Sequence, residues 1–201
     1  MRELADFDVL ILPGWRNSGP DHWQSHWEAA FPRFRRVQQR DWDAPRYSDW
    51  ALRLTEALDQ CERPALLVAH SLGTALVTRW AQEAHMRRVA GAFLVAPTDT
   101  DRFAGLPETA FQGFAPVPMR PLPFPSCVVA SRNDERVSSE RARAFAAAWG
   151  SRFVDAGFQG HIGSAARLGL WPQGLIWLGQ FLATIPAPAE AGDVLNPSNQ
   201  P

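Results

Sequence analysis

The segment "LLVAHSLGTALV", Leu66 to Val77, decides the fold. It begins as an unbroken apolar run, extended upstream by Pro64 and Ala65, and passes at Ser71 straight into a helical pattern. A strand with one face in water alternates polar and apolar residues, whereas a strand covered on both faces reads as continuous hydrophobicity. Residues 64–70 are of the second kind, so they belong at the centre of a sheet with helices on both sides. Small residues flank the serine, Ala69 two before and Gly73 two after. A sharp strand-to-helix turn with a strained central residue requires such neighbours. The turn lifts its side chain above the carboxyl ends of the strands, where open α/β sheets bind ligands. It also aims the first helical N–H groups at that spot, which favours developing negative charge. On this stretch alone Ser71 has two readings, a nucleophile or an ordinary helix N-cap.

Outward from that join, short apolar runs alternate with segments of helical period, the signature of parallel βαβ construction. Strands are predicted at 7–12, 34–39, 64–70, 89–97, 125–131 and 151–157. "FRRVQQ" (34–39) is polar enough to lie towards a sheet edge. Helices are predicted at 21–31, opened by Pro20 and Asp21, and from Ser48, where Trp50, Leu54, Ala57, Leu58 and Cys61 share one face. Three more follow at 72–84, 138–150 and from Pro172 to about Ile185, with proline at the favoured first turn. Residues 98–124 break the rhythm with aromatics and repeated prolines, including "PVPMRPLPFP". Long segments of this kind are functional or disordered, and the aromatics favour a loop that covers a pocket. The end, "APAEAGDVLNPSNQP", is small, polar and proline-rich. It reads as a flexible tail over 186–201 after one domain over 1–185.

A chain of 201 residues suits a single core that holds a site rigid without disulfides or metals. The formal charge of −1 offers no footprint for nucleic acid or acidic lipid, so the expected partner is a neutral small molecule or a protein. Cys61 and Cys127 lie in or beside apolar stretches, as packed thiols in a reducing compartment do. The start "MRELADFDVLIL" lacks a basic n-region and a long h-region. No run approaches the roughly 20 apolar residues of a spanning helix. The expectation is a cytoplasmic protein with no membrane association, no metal and no other cofactor.

A serine hydroxyl needs a base to become a nucleophile, and the base needs an acid to fix its tautomer. Both are present at later strand ends. "VVASRNDERV" places Asp134 just past the fifth strand, and "VDAGFQGHIGSA" places His161 in a glycine-flanked loop after the sixth. Ser, Asp, His is the chain order of hydrolases built on this strand-to-helix turn. Asp134 also fits a turn or capping role, and Asp155 or Glu135 are alternative partners for His161. An oxyanion hole needs two backbone N–H groups, Leu72 after the nucleophile and one from the loop after the first strand. That loop is "LPGWRNSG", in which Pro13 and Gly14 permit close approach. Trp15 is the leading donor, with Gly14 and Arg16 as alternatives; a bare glycine-containing connection is the plainer reading.

Among the five histidines, His22 and His26 have i, i+4 spacing, but "HWQSH" lacks the glutamate of a zinc-protease helix. They read as flanking Trp23 and Trp27 on a partly exposed helix face. His70 should point away from the nucleophile and support the turn, and His85 reads as surface. Most of the nine tryptophans serve packing. Gly14, Trp15, Phe103, Phe111 and Phe114 are candidates for an apolar substrate pocket.

These stretches together resemble the retinoblastoma-binding protein 9-like family of small serine hydrolases over most of residues 6–183. The resemblance rests on "LPGWRNSGPDHWQSHWE", "RDWDAPRYSDWALRLTEAL", "LLVAHSLGTALV", "ASRNDERV" and "GHIGSAARLGLWPQG". It implies a single-domain α/β-hydrolase fold, with a mostly parallel sheet of about six strands and helices on both faces. It also implies a triad of Ser71, Asp134 and His161. Ala69 departs from the glycine of G-x-S-x-G, though it is also small. The expected activity is hydrolysis of small carboxylic esters or amides through an acyl-enzyme. The rival expectation is a protein-interaction module on a hydrolase scaffold. A third is acyl transfer or perhydrolysis by the same residues.

Overall fold

A computed structural model describes residues 2–83, 88–104 and 111–186. Its sheet has six strands: β1 (Asp8–Leu12), β2 (Phe34–Arg36), β3 (Ala65–His70), β4 (Val89–Val95), β5 (Ser126–Ala130) and β6 (Arg152–Asp155). They are ordered β2-β1-β3-β4-β5-β6 and every neighbouring pair is parallel. All six predicted strands are present, and the polar candidate at 34–39 is the edge strand β2.

Among the described residues four α-helices link them, α1 (Trp23–Ala30), α2 (Tyr47–Asp59), α3 (Leu72–Glu83) and α4 (Ser139–Trp149), and a fifth, α5 (Pro172–Leu182), follows β6. Strand β3 is buried at every position, with β1 on one side and β4 on the other. Its alternate side chains feed two separate cores. Leu67 and Ala69 join Trp50 and Leu54 of α2, Leu76 of α3 and Phe145 of α4. Leu66 and Val68 join Trp23 and Trp27 of α1 and Phe181 of α5. Helices thus cover both faces, which is why the β3 sequence carries no polar alternation.

Two differences from the sequence expectations concern local chemistry. Helix α1 is capped by His22, whose Nδ1 accepts the Gln24 N–H at 3.1 Å, and not by Pro20 and Asp21. Its face bearing Trp23 and Trp27 is buried, and His22 is only 4% exposed. Secondly, residues 98–124 are not one covering loop. Val117, Leu122 and Phe124 are core residues, and the Trp149 indole donates to Pro118 O at 2.7 Å. Part of that segment, 105–110, lies outside the described residues, as do His85 and all but the first residue of the 186–201 tail.

The first turn of α3 lies hard against the end of β1. A Cβ at Gly73 would overlap Leu12 O and come 2.8 Å from Pro13 O, so only glycine fits there. Gly179 in α5 is exposed, with nothing within 4 Å of the corresponding position. Gly73→Ala should therefore lower stability by about 1–3 kcal/mol through overpacking, whereas Gly179→Ala should raise it by about 0.5–1 kcal/mol through helix propensity. Urea unfolding midpoints of the two variants check both signs.

Candidate active site

Loops at the carboxyl ends of five strands converge on one point. At the end of β3 the backbone turns through Ser71 with φ +55°, a left-handed conformation for a side-chain-bearing residue. That geometry costs about 1–3 kcal/mol and persists only where the surroundings impose it. Here they do. The Ser71 N–H donates to Val95 O at 3.1 Å, and Ser71 O accepts from Thr74 N at 2.9 Å and Thr74 Oγ1 at 2.7 Å.

Ser71 Oγ lies 2.7 Å from His161 Nε2, and His161 Nδ1 lies 2.9 Å from both Asp134 oxygens. An ionised carboxylate only accepts, so Nδ1 carries the ring proton and Nε2 presents a lone pair to the serine hydroxyl. The Asp134 side chain is fully buried and Oδ1 also accepts the Arg136 N–H at 2.8 Å. The alternative acids are engaged elsewhere: Asp155 pairs with Arg132 at 2.9 Å and Glu135 with Arg136 at 3.3 Å. Ser71, His161 and Asp134 thus form a continuous hydrogen-bonded line.

The loop carrying His161 is tied down at each step. Gln159 N–H donates to Ser131 Oγ and Gly160 N–H to Asn133 Oδ1, each at 2.9 Å. The Trp23 indole donates to Ile162 O at 2.9 Å. His70 Nε2–H donates to His161 O at 2.8 Å, so the residue before the nucleophile grips the backbone of the base. This is support of the loop opposite, a more specific task than support of its own turn.

Gly14 presses against the nucleophile: a Cβ there would come 2.7 Å from Ser71 Cβ and 3.2 Å from Leu72 N. The Arg16 N–H is spent on Trp42 O at 2.9 Å, which removes it as a free donor. Around Ser71 lies a cavity of about 220 Å3, with Trp15, Phe103 and Phe111 on an aromatic side and Asn17, His22 and Ser164 on a polar one. Phe111 meets Phe103 edge-on at 5.4 Å and Trp15 at 6.4 Å. Phe114 is not part of this wall. It is 1% exposed and packs on Tyr47 and Trp50 in the core behind Phe111.

Sequence reasoning missed Thr98, whose Oγ1 lies 3.1 Å from Ser71 Oγ. With the serine proton directed at His161, the Thr98 hydroxyl is the donor of that contact. It also missed that His22, His70 and His161 lie in series, meeting edge-on and tilted with ring centroids 4.7 and 5.0 Å apart. Burial, reinforced by Arg36 and the neighbouring imidazoles, pushes His22 down to about 3. Burial, with His22 and His161 alongside, also holds His70 well below the usual histidine range. Both are neutral, so neither opposes a positive charge forming on His161. Among the described residues no group of three histidine, cysteine or acidic side chains is placed to hold a metal ion.

The neutral histidines make stability depend on pH. Below about pH 6.5 the unfolded chain binds protons that the folded chain refuses, so stability is full above that value and falls as pH drops towards 3. Between pH 7 and 5, His22 alone should remove about 2 kcal/mol. Urea titrations of wild type and His22→Gln across that range should show a flatter pH dependence in the variant.

The family model described as serine hydrolase matches residues 9–180. No curated protein sequence matches the chain. Among solved structures, a protein described as a YdeN-like hydrolase from Pectobacterium atrosepticum is 36% identical, with a TM-score of 0.79 over 90% of this chain and 94% of that one. The ydeN gene product of B. subtilis is similar in fold at 19% identity, TM-score 0.66, covering 88% of this chain and 99% of the other. The esterase domain of a Rhodothermus marinus protein is 20% identical, TM-score 0.61, covering 87% of each chain. With its parallel six-stranded sheet and helices on both faces, the chain has the single-domain α/β-hydrolase fold and belongs to the serine hydrolase family.

Proposed function

We propose that the protein hydrolyses small carboxylic esters, and amides of similar size, through an acyl-enzyme on Ser71. The observation that carries this reading is the line Ser71 Oγ, His161 Nε2, His161 Nδ1, Asp134, with contacts of 2.7 and 2.9 Å. His161 takes the hydroxyl proton as Ser71 Oγ bonds to the substrate carbonyl carbon. Asp134 holds the imidazole in the tautomer that can accept. The resulting oxyanion falls to the backbone N–H groups of Leu72 and Trp15, brought together by the contact between Gly14 and Ser71. His161 then protonates the departing alcohol or amine, leaving the acyl group on Ser71. Water attacks that ester with His161 again as base, releasing the acid and restoring the serine.

The cavity limits the substrate. Its volume of about 220 Å3 lies below the range of drug-sized pockets, roughly 300–1,000 Å3. An acyl group of a few carbons fits against Trp15, Phe103 and Phe111. The reaction needs no cofactor, since nucleophile, base and oxyanion donors all come from the chain.

With p-nitrophenyl esters, Ser71→Ala should reduce kcat by about 10⁴-fold or more, and a fluorophosphonate probe should label wild type but not the variant. Rates should favour acetyl and butyryl over decanoyl esters. Unlabelled wild-type protein with an unchanged rate in Ser71→Ala would leave a binding scaffold as the correct reading. A separate test concerns loop placement. His70→Ala, which frees His161 O, should cost up to about 10²-fold in kcat with KM little changed, and His70→Gln, which retains an N–H donor, should recover part of the loss.

A further inference from the structure

The opposite edge of the sheet carries a second cavity of about 460 Å3. It opens at the amino ends of β3, β4 and β5, so the full length of β3 separates it from Ser71. Val89, Phe124 and Ile185 give it an apolar floor, and its volume lies in the range of small-molecule sites. Among the described residues no serine, cysteine or histidine lines it.

Its charges are one-sided. Arg2, Arg63 and Arg88 stand around it against the single carboxylate of Glu62. Among the described residues none of these arginines forms an ion pair. Arg2 lies over the Phe7 ring at 5.2 Å, and Arg88 Nη1 donates to Cys61 O at 2.6 Å. Among the described residues Arg63 Nη1 is buried and has no acceptor. A buried charged donor without a partner is costly, and native structures keep few of them. The nearby acid does not relieve it. Asp8 Oδ2 is taken by the main-chain N–H groups of Glu62 and Arg63, at 2.8 and 3.0 Å, and Oδ1 faces Arg33 at 3.9 Å. Those two bonds also fix the backbone of the loop that carries Arg63.

Guanidinium pairs well with planar or tetrahedral oxyanions, and the floor beneath is suited to a short hydrocarbon. We propose that this cavity binds a small amphiphilic anion, its carboxylate or phosphate monoester on Arg63 and the neighbouring arginines and its apolar body on Val89, Phe124 and Ile185.

Calorimetric titration of the full chain with hexanoate, hexyl phosphate and hexanol tests this. At least one anion should bind, with hexanol about tenfold weaker or more, and Arg63→Gln should weaken the anion by about tenfold while Arg63→Lys keeps part of the affinity. The tighter of the two anions identifies the headgroup. Arg2→Gln, on the opposite side of the rim, serves as the second variant if Arg63→Gln fails to fold. Binding at Ser71 is separated by its effect on ester hydrolysis, which occupation of the distant cavity should leave unblocked. Equal affinity for hexanol, no binding of either anion, or anion affinity unchanged in the folded variants overturns the proposal.

Discussion

The closeness of α3 to the end of β1 is the constraint on which the site depends. Because Gly73 sits on Leu12 O and Pro13 O, the helix can start immediately after β3, and the chain has one residue, Ser71, in which to turn. That residue is forced to positive φ and its side chain is raised clear of the sheet. The same closeness brings Gly14, next along from Pro13, into contact with Ser71 and with the Leu72 N–H. A single packing contact between two backbones therefore sets the serine and the surroundings of its oxygen together.

Around that point most of the buried polar groups are paired, His22 Nε2 being an exception. Gln24, fully buried at the start of α1, donates to Leu12 O and Val68 O and accepts from Ser18 Oγ, which ties the helix to the ends of two adjacent strands. Asp134 is buried but bonded to a ring N–H and a backbone N–H, the condition under which a carboxylate is kept in a dry place. His22 and His70 are kept neutral instead, with His22 Nδ1 accepting the Gln24 N–H and His70 Nε2–H donating to His161 O.

Much of this was legible in the residues. The six strands showed themselves as apolar runs, and the continuity of "LLVAH" placed β3 at the centre because a two-sided core leaves no reason for alternation. That Ser71, Asp134 and His161 meet was legible because each follows a strand, and parallel strands bring their carboxyl ends to one edge. What escaped was contact across long separations. Nothing local marks Thr98 as a neighbour of Ser71 Oγ, and nothing in an aperiodic aromatic segment separates Phe111, on the pocket wall, from Phe114, in the core behind it. His22 was misjudged because histidine is not a customary N-cap residue. Its burial arises among Trp23, His70 and the loop at Gly163.

The three side chains in the hydrogen-bonded line follow β3, β5 and β6, so the line extends from the middle of the sheet to its far edge. Strand β6 is the most exposed of the six, with no fully buried position. Fraying of that edge would detach the imidazole while the other strands stayed paired, since edge elements open at lower free energy than the interior. Closure of the hydrogen-bonded line thus waits on β6, the last of the described strands in chain order, and a chain with only the first five paired would hold Ser71 without His161 beside it.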